Sequence, residues 1–110
     1  LEVLGEKAVS EGHVDILVKD AIPIGWARKV IVEVKLRRAQ GNDVVQLADY
    51  MGEFGDECIA GVLIAESFSR AVVAAAEGHG VRLVGYRLDL DWCRPRTFDE
   101  IRQSLQLRAV

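Results

Sequence analysis

The alternation of apolar and polar residues predicts a β-hairpin at the start of the chain. Residues 1–9 and 13–19 are rich in apolar positions and flank a short polar segment at residues 10–12, which is typical of two strands joined by a tight turn. Because successive side chains of a strand point to opposite faces, Asp15 shares a face of the second strand with His13. The hairpin therefore presents one carboxylate in the middle of its second strand.

A third predicted strand carries two charges. It covers residues 30–36, is strongly β-branched, and follows a loop over residues 20–28 that contains a proline and a glycine. Glu33 and Lys35 share one face of this strand. Its apolar face is formed by Val30, Val32 and Val34. Charges are costly to bury unless they are paired or bind a metal ion, so Glu33 and Lys35 need a chemical explanation.

Helical and strand patterns alternate along the rest of the chain. The first predicted helix starts at Gly41-Asn42-Asp43, is capped by Asn42 or Asp43 and is stopped by Gly55. It is followed by a buried strand over 59–65, a helix that Ser67 caps and that runs through Glu77, a strand over 81–88 and a terminal helix over 97–107, capped by Thr97. The order β-β-β-α-β-α-β-α predicts an α/β domain with one mixed sheet flanked by helices, in which the later β-α-β unit is parallel. Gln46 and Tyr50, four residues apart, are neighbours on the first helix.

Composition limits the class of protein. The chain has 110 residues, which predicts a single domain over residues 1–110, and its 50% of apolar and 28% of charged residues exclude a disordered chain. Its formal net charge of −3 argues against a surface coated with basic residues. Between Arg28 and Arg38, however, five basic residues accompany one acidic residue, which predicts a local basic stripe. A second group near the end of the chain, for which a solvated surface is the simpler interpretation, consists of Arg94, Arg96, Arg102 and Arg108.

The cysteines and apolar runs point to a cytoplasmic protein. Cys58 and Cys93 have no second cysteine or histidine at a zinc-type spacing, so two free thiols in a reducing cytosol are the simplest interpretation. No apolar run approaches the roughly 20 residues that a membrane span requires, so we expect no membrane association.

The charges of the second and third strands suggest a metal site. These strands are expected to be neighbours, which brings Asp15 and Glu33 within reach of one ion. Two carboxylates, a backbone carbonyl and waters form an octahedral oxygen site for Mg²⁺ or Mn²⁺. Lys35 shares the face of Glu33 and is suited to orient a water, help deprotonate it or offset charge in the transition state. Phosphodiester hydrolysis needs these parts. A surface ion pair of Glu33 with Lys35 is the alternative, which the apolar context of the strand disfavours.

Three motifs occur in order along the chain: Gly12-x-x-Asp15, Glu33-x-Lys35 and Gln46-x-x-x-Tyr50. Together they resemble the PD-(D/E)XK nuclease superfamily, and the third is typical of its RecB-like branch. Residues 12–17, 30–38, 46–50 and 60–65 are also similar to the C-terminal nuclease domain of NucS/EndoMS-type endonucleases. The resemblance covers most of residues 1–87.

The resemblance implies a restriction-endonuclease-like fold and a set of catalytic residues. Asp15, Glu33 and the backbone carbonyl of Val34 would hold the metal ion. Lys35 would be the catalytic lysine. Gln46 would orient the metal site or contact a phosphate.

Further residues are implied around this centre. Tyr50 would pack on the metal site or form a hydrogen bond within it. Arg37 and Arg38 would contact the DNA backbone, and Lys29 would help to position it. His13 shares the face of Asp15, although a residue with no role in the site is the simpler interpretation for it.

Three hypotheses follow. The leading one is a metal-dependent DNA endonuclease, acting on structured or damaged DNA and forming a homodimer to cut two strands. The alternative is a catalytically silent nuclease-fold module for nucleic-acid binding or oligomerisation, because the family's first core helix, which often carries a further acidic ligand, is expected to be missing here. The third is a nuclease domain completed by a partner subunit or by preceding residues. Metal titration separates the first two.

Overall fold

A computed structural model describes the backbone of residues 2–9, 12–19, 28–88 and 97–110, and the side chains of residues 28–88 and 97–110. The strands and α-helices in these ranges are β1 (Glu2–Val9), β2 (Gly12–Lys19), β3 (Lys29–Val34), α1 (Gly41–Phe54), β4 (Cys58–Ala65), α2 (Arg70–His79), β5 (Val81–Leu88), α3 (Phe98–Ser104) and β6 (Leu105–Ala109). A short 3₁₀ turn, Gly55–Glu57, links α1 to β4. The predicted order of elements is confirmed, with one further strand, β6, at its end.

The strands form one mixed sheet in the order β1-β2-β3-β4-β5-β6. β1, β2 and β3 are successively antiparallel, β3, β4 and β5 are parallel, and β6 is antiparallel to β5. The predicted hairpin and the predicted parallel β-α-β pairing are therefore confirmed. β4 lies inside the sheet, between β3 and β5, which suits a strand composed almost entirely of apolar residues.

The helices α1 and α2 pack on one face of the sheet. The core between them and the strands consists of Ile31, Leu63, Ala65, Val81 and Leu83 from the sheet and Val44, Leu47, Tyr50, Val72 and Ala76 from the helices. In α1 the buried apolar residues recur every three positions, which turns one side of the helix to the sheet. The predicted α/β class is confirmed. Within the described part of the chain, no helix has the length and apolar character to cross a membrane.

One face of β3 is covered by the helices. Lys29, Ile31 and Glu33 are buried, whereas the alternating residues Val30, Val32 and Val34 are only half-buried. The helices thus cover the face that carries the charges. The sequence left this choice open because both faces of the strand contain β-branched residues, and the packing of α1 decides between them.

α1 begins earlier than predicted. Its N-cap is Gln40, and Asp43 occupies the third helical position of a capping box, in which its carboxylate accepts a hydrogen bond from the Gln40 amide at 2.8 Å. Neither Asn42 nor Asp43 is therefore the cap. The predicted end at Gly55 is confirmed, and its φ of 60° is a value that favours glycine.

α2 also begins at a different serine from the predicted one. Ser69 is the N-cap, and its hydroxyl accepts a hydrogen bond from the Val72 amide at 3.2 Å. Ser67 stays in the preceding loop because its carbonyl accepts a hydrogen bond from the Ala39 amide at 2.9 Å.

The predicted terminal helix is too long. Thr97 caps α3 as predicted, but the helix ends at Ser104 and residues 105–109 form β6. β6 pairs with β5 along its whole length. The run Leu-Gln-Leu-Arg fits strand alternation, and the edge of β5 supplies the backbone hydrogen bonds that select the strand over a further helical turn.

Candidate active site

The candidate residues gather where β3 ends. Because β3, β4 and β5 are parallel, their carboxyl ends meet at one edge of the sheet, which we call the carboxyl edge. α1 and α2 both begin at this edge, since each follows a short loop after β3 or β4. Ligands of open α/β sheets bind outside such an edge. Glu33, Val34 and Lys35 lie there.

The register of β2 and β3 brings position 15 to Glu33. Ile16 pairs with Val32 in an antiparallel ladder, so the same register places Asp15 directly across from Glu33. Positions directly across from each other share a face, with their Cβ atoms about 5 Å apart. The predicted neighbourhood of the two strands is confirmed. The side chain of Asp15 lies outside the described residues, so its approach to Glu33 stays a prediction.

Glu33 and Lys35 differ in burial and in their contacts. Glu33 is buried, with 4% of its surface exposed, on the face that α1 covers. The Lys35 amide donates to the Ile64 carbonyl at 2.8 Å, which extends the β3–β4 pairing by one residue. The Lys35 side chain is half-buried, and its ammonium is close enough to Asp43 for the two charges to interact. Its charge therefore lies on the side of the sheet that carries α1.

A hydrogen-bond network joins the loop after β3 to the first turn of α1. The Arg37 guanidinium donates two hydrogen bonds to the Asp43 carboxylate, both at 2.8 Å. Nη1 of Arg37 also donates to the Arg38 carbonyl at 2.8 Å. Together with the Gln40 amide, these contacts fix the loop that follows Lys35, because a bidentate pair defines both distance and orientation.

The same network keeps Asp43 ionised. Burial opposes ionisation of this carboxyl group, but hydrogen bonds from Arg37 and Gln40 and the charges of Arg37 and Lys35 outweigh it, so the pKa of Asp43 is lowered. The hydrogen bond to Asp43 raises the pKa of Arg37 in turn. The sequence predicted Asp43 only as a cap. The signal in the sequence for its position in the first turn of α1 is the Gln40-x-x-Asp43 spacing, which is that of a capping box.

The loops after β3 and β4 support each other. The Ala39 amide donates to the Ser67 carbonyl at 2.9 Å, and the Glu66 amide donates to the Arg37 carbonyl at 3.1 Å. α1 and α2 therefore start from a common backbone frame beside Glu33.

Gln46 and Tyr50 lie one turn apart on α1, as their spacing predicts. Gln46 is exposed, whereas Tyr50 is 3% exposed and belongs to the core. Both line a groove of about 200 Å³ together with Asn42, Val45 and Asp49. Tyr50 thus anchors the helix, and Gln46 offers an amide to the groove.

The predicted arginine contacts to DNA occupy different environments. Arg38 is exposed at the carboxyl edge. Arg37 is engaged with Asp43, although 46% of its side chain remains exposed. Arg37 therefore holds the loop in addition to any contact that it makes with a phosphate.

The structure contradicts the prediction that Lys29 positions DNA. Lys29 is completely buried at the amino end of β3, away from the carboxyl edge. Its ammonium pairs with Glu57 and lies 5.3 Å from the centre of the Phe54 ring. A buried ammonium with a carboxylate partner is not available to a phosphate.

Some predicted residues lie outside the described side chains: His13, Asp15, Cys93, Arg94 and Arg96. Cys58 is a half-buried free thiol, and burial raises its pKa. Among the side chains of residues 28–88 and 97–110, no three from His, Cys, Asp or Glu form a ready-made metal cluster.

The fold defines an α/β domain with a buried glutamate and a lysine at the carboxyl edge, where β3 ends. A family model described as the endonuclease NucS C-terminal domain matches residues 2–96, and the chain belongs to this family. A search of curated proteins gave no significant match.

Solved structures agree with this assignment. The chain is similar to EndoMS in the EndoMS-dsDNA2 complex, with 31% identity, 73% of this chain covered and a TM-score of 0.59. It is similar to a repair endonuclease from Pyrococcus abyssi, with 26% identity, 73% coverage and a TM-score of 0.60. EndoMS in its apo form gives 30% identity, 76% coverage and a TM-score of 0.54. The matches cover 33%, 35% and 35% of those chains, so this chain spans about a third of their length.

Proposed function

We propose that the chain is the nuclease domain of a metal-dependent DNA endonuclease of the PD-(D/E)XK type, which cuts damaged or structured duplex DNA. The observation that carries the proposal is the register of β2 and β3, which sets position 15 across from Glu33 with Lys35 at the same edge. Membership of the NucS C-terminal family and similarity to a repair endonuclease support it.

The donor set fits Mg²⁺ or Mn²⁺. Asp15, Glu33 and the Val34 carbonyl would hold the ion through oxygen atoms, which hard divalent cations prefer. The negative charge of the buried Glu33 carboxylate would also attract a divalent cation. The bound ion would supply a Lewis acid and lower the pKa of a bound water.

The side chains around the ion would orient the phosphate and the attacking water. The backbone of Lys35 is fixed at the carboxyl edge by its bond to Ile64, and from there its ammonium would orient the water or offset charge on the phosphate. Gln46 offers an amide hydrogen bond from α1. Arg38 adds an exposed positive charge, which strengthens DNA binding without reading the base sequence.

Cleavage assays with Glu33→Ala and Lys35→Ala test the proposal. On plasmid and branched DNA with Mg²⁺ or Mn²⁺, we expect each variant to cut at least about 100-fold more slowly, since Glu33→Ala removes a proposed metal ligand and Lys35→Ala removes the charge beside the reacting phosphate. Glu77→Ala and Arg82→Ala are matched controls, because they remove the same charges from exposed positions at the end of α2 and the start of β5. The controls should cut at the wild-type rate. Unchanged cleavage in both site variants would refute the assignment.

A Mn²⁺ titration of the folded protein tests the metal site separately. We expect the wild-type protein to bind Mn²⁺ and Glu33→Ala to bind it more weakly, because the variant lacks one of the proposed oxygen ligands. A folded wild-type protein that binds no Mn²⁺ would favour a nuclease-fold module that binds DNA without cutting it.

The proposal includes a homodimer. One site of this kind hydrolyses one strand at a time, so a cut through both strands is most simply made by two copies of the domain. A two-fold pair would present one site to each strand of the duplex.

A further inference from the structure

A cleft of about 770 Å³ opens at the carboxyl edge, between the loop after β4 and the β5–β6 pair. Charged and polar residues of its lining are Glu66, Arg87, Gln106 and Arg108. Gly85 pairs with Arg108, and Arg87 pairs with Gln106. Paired positions share a face, and Gly85 is buried on the face that α1 and α2 cover. Arg87 and Arg108 therefore lie on the same face of the sheet as Glu33.

Gly85 makes room for the guanidinium of Arg108. A Cβ atom at position 85 would lie 3.2 Å from Nη2 and 3.8 Å from Nε of Arg108. This is a close approach, so the guanidinium rests against the backbone of Gly85. The pairing of β6 with β5 thus fixes the position of Arg108, although its side chain is exposed.

The cleft lies within reach of a DNA duplex held at Glu33. Glu33 pairs with Leu63 and Leu63 with Leu83, and Gly85 follows two residues nearer the carboxyl edge. Three strand spacings of about 4.8 Å and two residues along the strand separate Glu33 from Arg108, which gives a distance of about 16 Å. Four to five base pairs of B-DNA span about this length.

We propose that Arg87 and Arg108 bind a backbone phosphate of the same DNA molecule, a few base pairs from the bond that is cut. The planar guanidinium matches the geometry of phosphate oxygens, and two such groups converge on one cleft. This site rests on the proposed function and extends it. Arg108 and Gln106 belong to β6, which lies beyond the residues 2–96 that match the family model, so the site is assigned from this chain's own structure.

Glu66 is expected to affect DNA affinity in the opposite direction from the two arginines. Its carboxylate lines the cleft and repels a phosphate, so it limits the affinity that the two arginines provide. Removing its charge should strengthen DNA binding, whereas removing either arginine should weaken it.

The test measures binding of a fluorescent DNA duplex in EDTA, where metal-dependent cleavage does not occur, between about 50 and 200 mM salt. Arg87→Ala and Arg108→Ala should each weaken binding roughly tenfold and make the negative slope of log K against log salt shallower by about 1. Arg82→Ala is the matched control, because Arg82 is an exposed arginine near the other end of β5 and on the other face. Glu66→Gln should tighten binding.

Gly85→Ala tests the geometry of Arg108. The added methyl group would displace the guanidinium, which is the far end of a flexible side chain, so the fold should persist and binding should weaken. In an Arg108→Ala background the same change should have no further effect. Thermal melting of each variant confirms that the fold is intact.

The outcomes separate this inference from the proposed function. If Arg87→Ala and Arg108→Ala keep the wild-type affinity and salt slope, or if Arg82→Ala loses as much, the phosphate site is refuted even when the wild-type protein cuts DNA. Wild-type protein that binds no duplex at low salt also refutes it. Failure of the nuclease proposal appears instead in the cleavage assay, as activity that Glu33→Ala does not change.

Discussion

Asp43 shows how single residues support the candidate site without belonging to its chemistry. Its carboxylate accepts hydrogen bonds from Arg37 and from the Gln40 amide, and it lies close to the charge of Lys35. It therefore fixes the loop between the end of β3 and the start of α1. Arg37 is partly committed to this role, which its sequence position in a basic run did not reveal.

Asp43→Asn tests this role through stability. The variant keeps an acceptor for the Gln40 amide but loses the charge that pairs with Arg37, so we expect the free energy of unfolding to fall by about 1 kcal/mol at pH 7. The lowered pKa of Asp43 in the folded protein means that its contribution is complete above the ordinary value of 3.8 and is lost as the pH falls through the lowered value. Urea unfolding of both proteins at neutral and acidic pH measures this.

The difference between the wild-type protein and Asp43→Asn should therefore shrink on acidification below 3.8. Asp49→Asn is the control, because it removes an exposed carboxylate from the same helix. It should change stability little at either pH. A difference between wild type and Asp43→Asn that is unchanged in acid would contradict the ionised pair.

At the scale of elements, the approach of α1 to β4 depends on a residue without a side chain. A Cβ atom at Gly61 would lie 2.3 Å from Sδ and 3.0 Å from Cγ of Met51. Met51 therefore fills the space that a side chain on β4 would occupy. This contact sets how closely the helix that carries Gln46 lies against the strand beside Glu33.

Gly61→Ala should lower the free energy of unfolding by about 1–2 kcal/mol, because the methyl group forces Met51 or α1 to move. Met51→Ala removes the obstacle, so the double variant should be more stable than the sum of the two single effects predicts. Chemical unfolding of the four proteins measures the coupling. Additive effects would show that the two residues do not compete for the same space.

In the whole molecule, the basic residues that are neighbours in sequence lie in different environments. The basic stripe predicted between Arg28 and Arg38 loses Lys29 to a buried pair with Glu57, and Arg37 is paired with Asp43. Arg38 is exposed at the carboxyl edge, and the cleft beside β6 adds two arginines that are distant in sequence. The surface that we propose binds DNA is thus assembled from separate parts of the chain.

Mixing wild-type protein with Glu33→Ala tests the proposed homodimer. Wild-type protein alone should convert supercoiled plasmid to linear product, because two sites cut opposite strands. Mixed dimers have one working site, so nicked circles should accumulate as the variant is added. Sedimentation of the protein with duplex DNA should show two copies per duplex. A monomer on DNA that still linearises the plasmid in one binding event would contradict the dimer.

The order of elements from β1 to α3 and the shared face of Glu33 and Lys35 could be predicted from the sequence, because strand alternation and helical spacing are local properties. It also indicated that Asp15 and Glu33 belong to neighbouring strands, since a hairpin followed by a third strand forms antiparallel pairs most simply. Local pattern was insufficient at the end of the chain, where residues 105–109 become a strand only because β5 offers them an edge.

Which face of β3 the helices cover, and which basic residues stay exposed, depends on how the elements pack together. Lys29 meets Glu57, which is 28 residues away, and Arg87 lies on the strand that pairs with the one carrying Arg108. Burial and ion pairing depend on which segments come into contact, and no periodicity in the sequence records those contacts. For that reason the shared face of Glu33 and Lys35 could be predicted from the chain, whereas the cleft beside β6 required the folded protein.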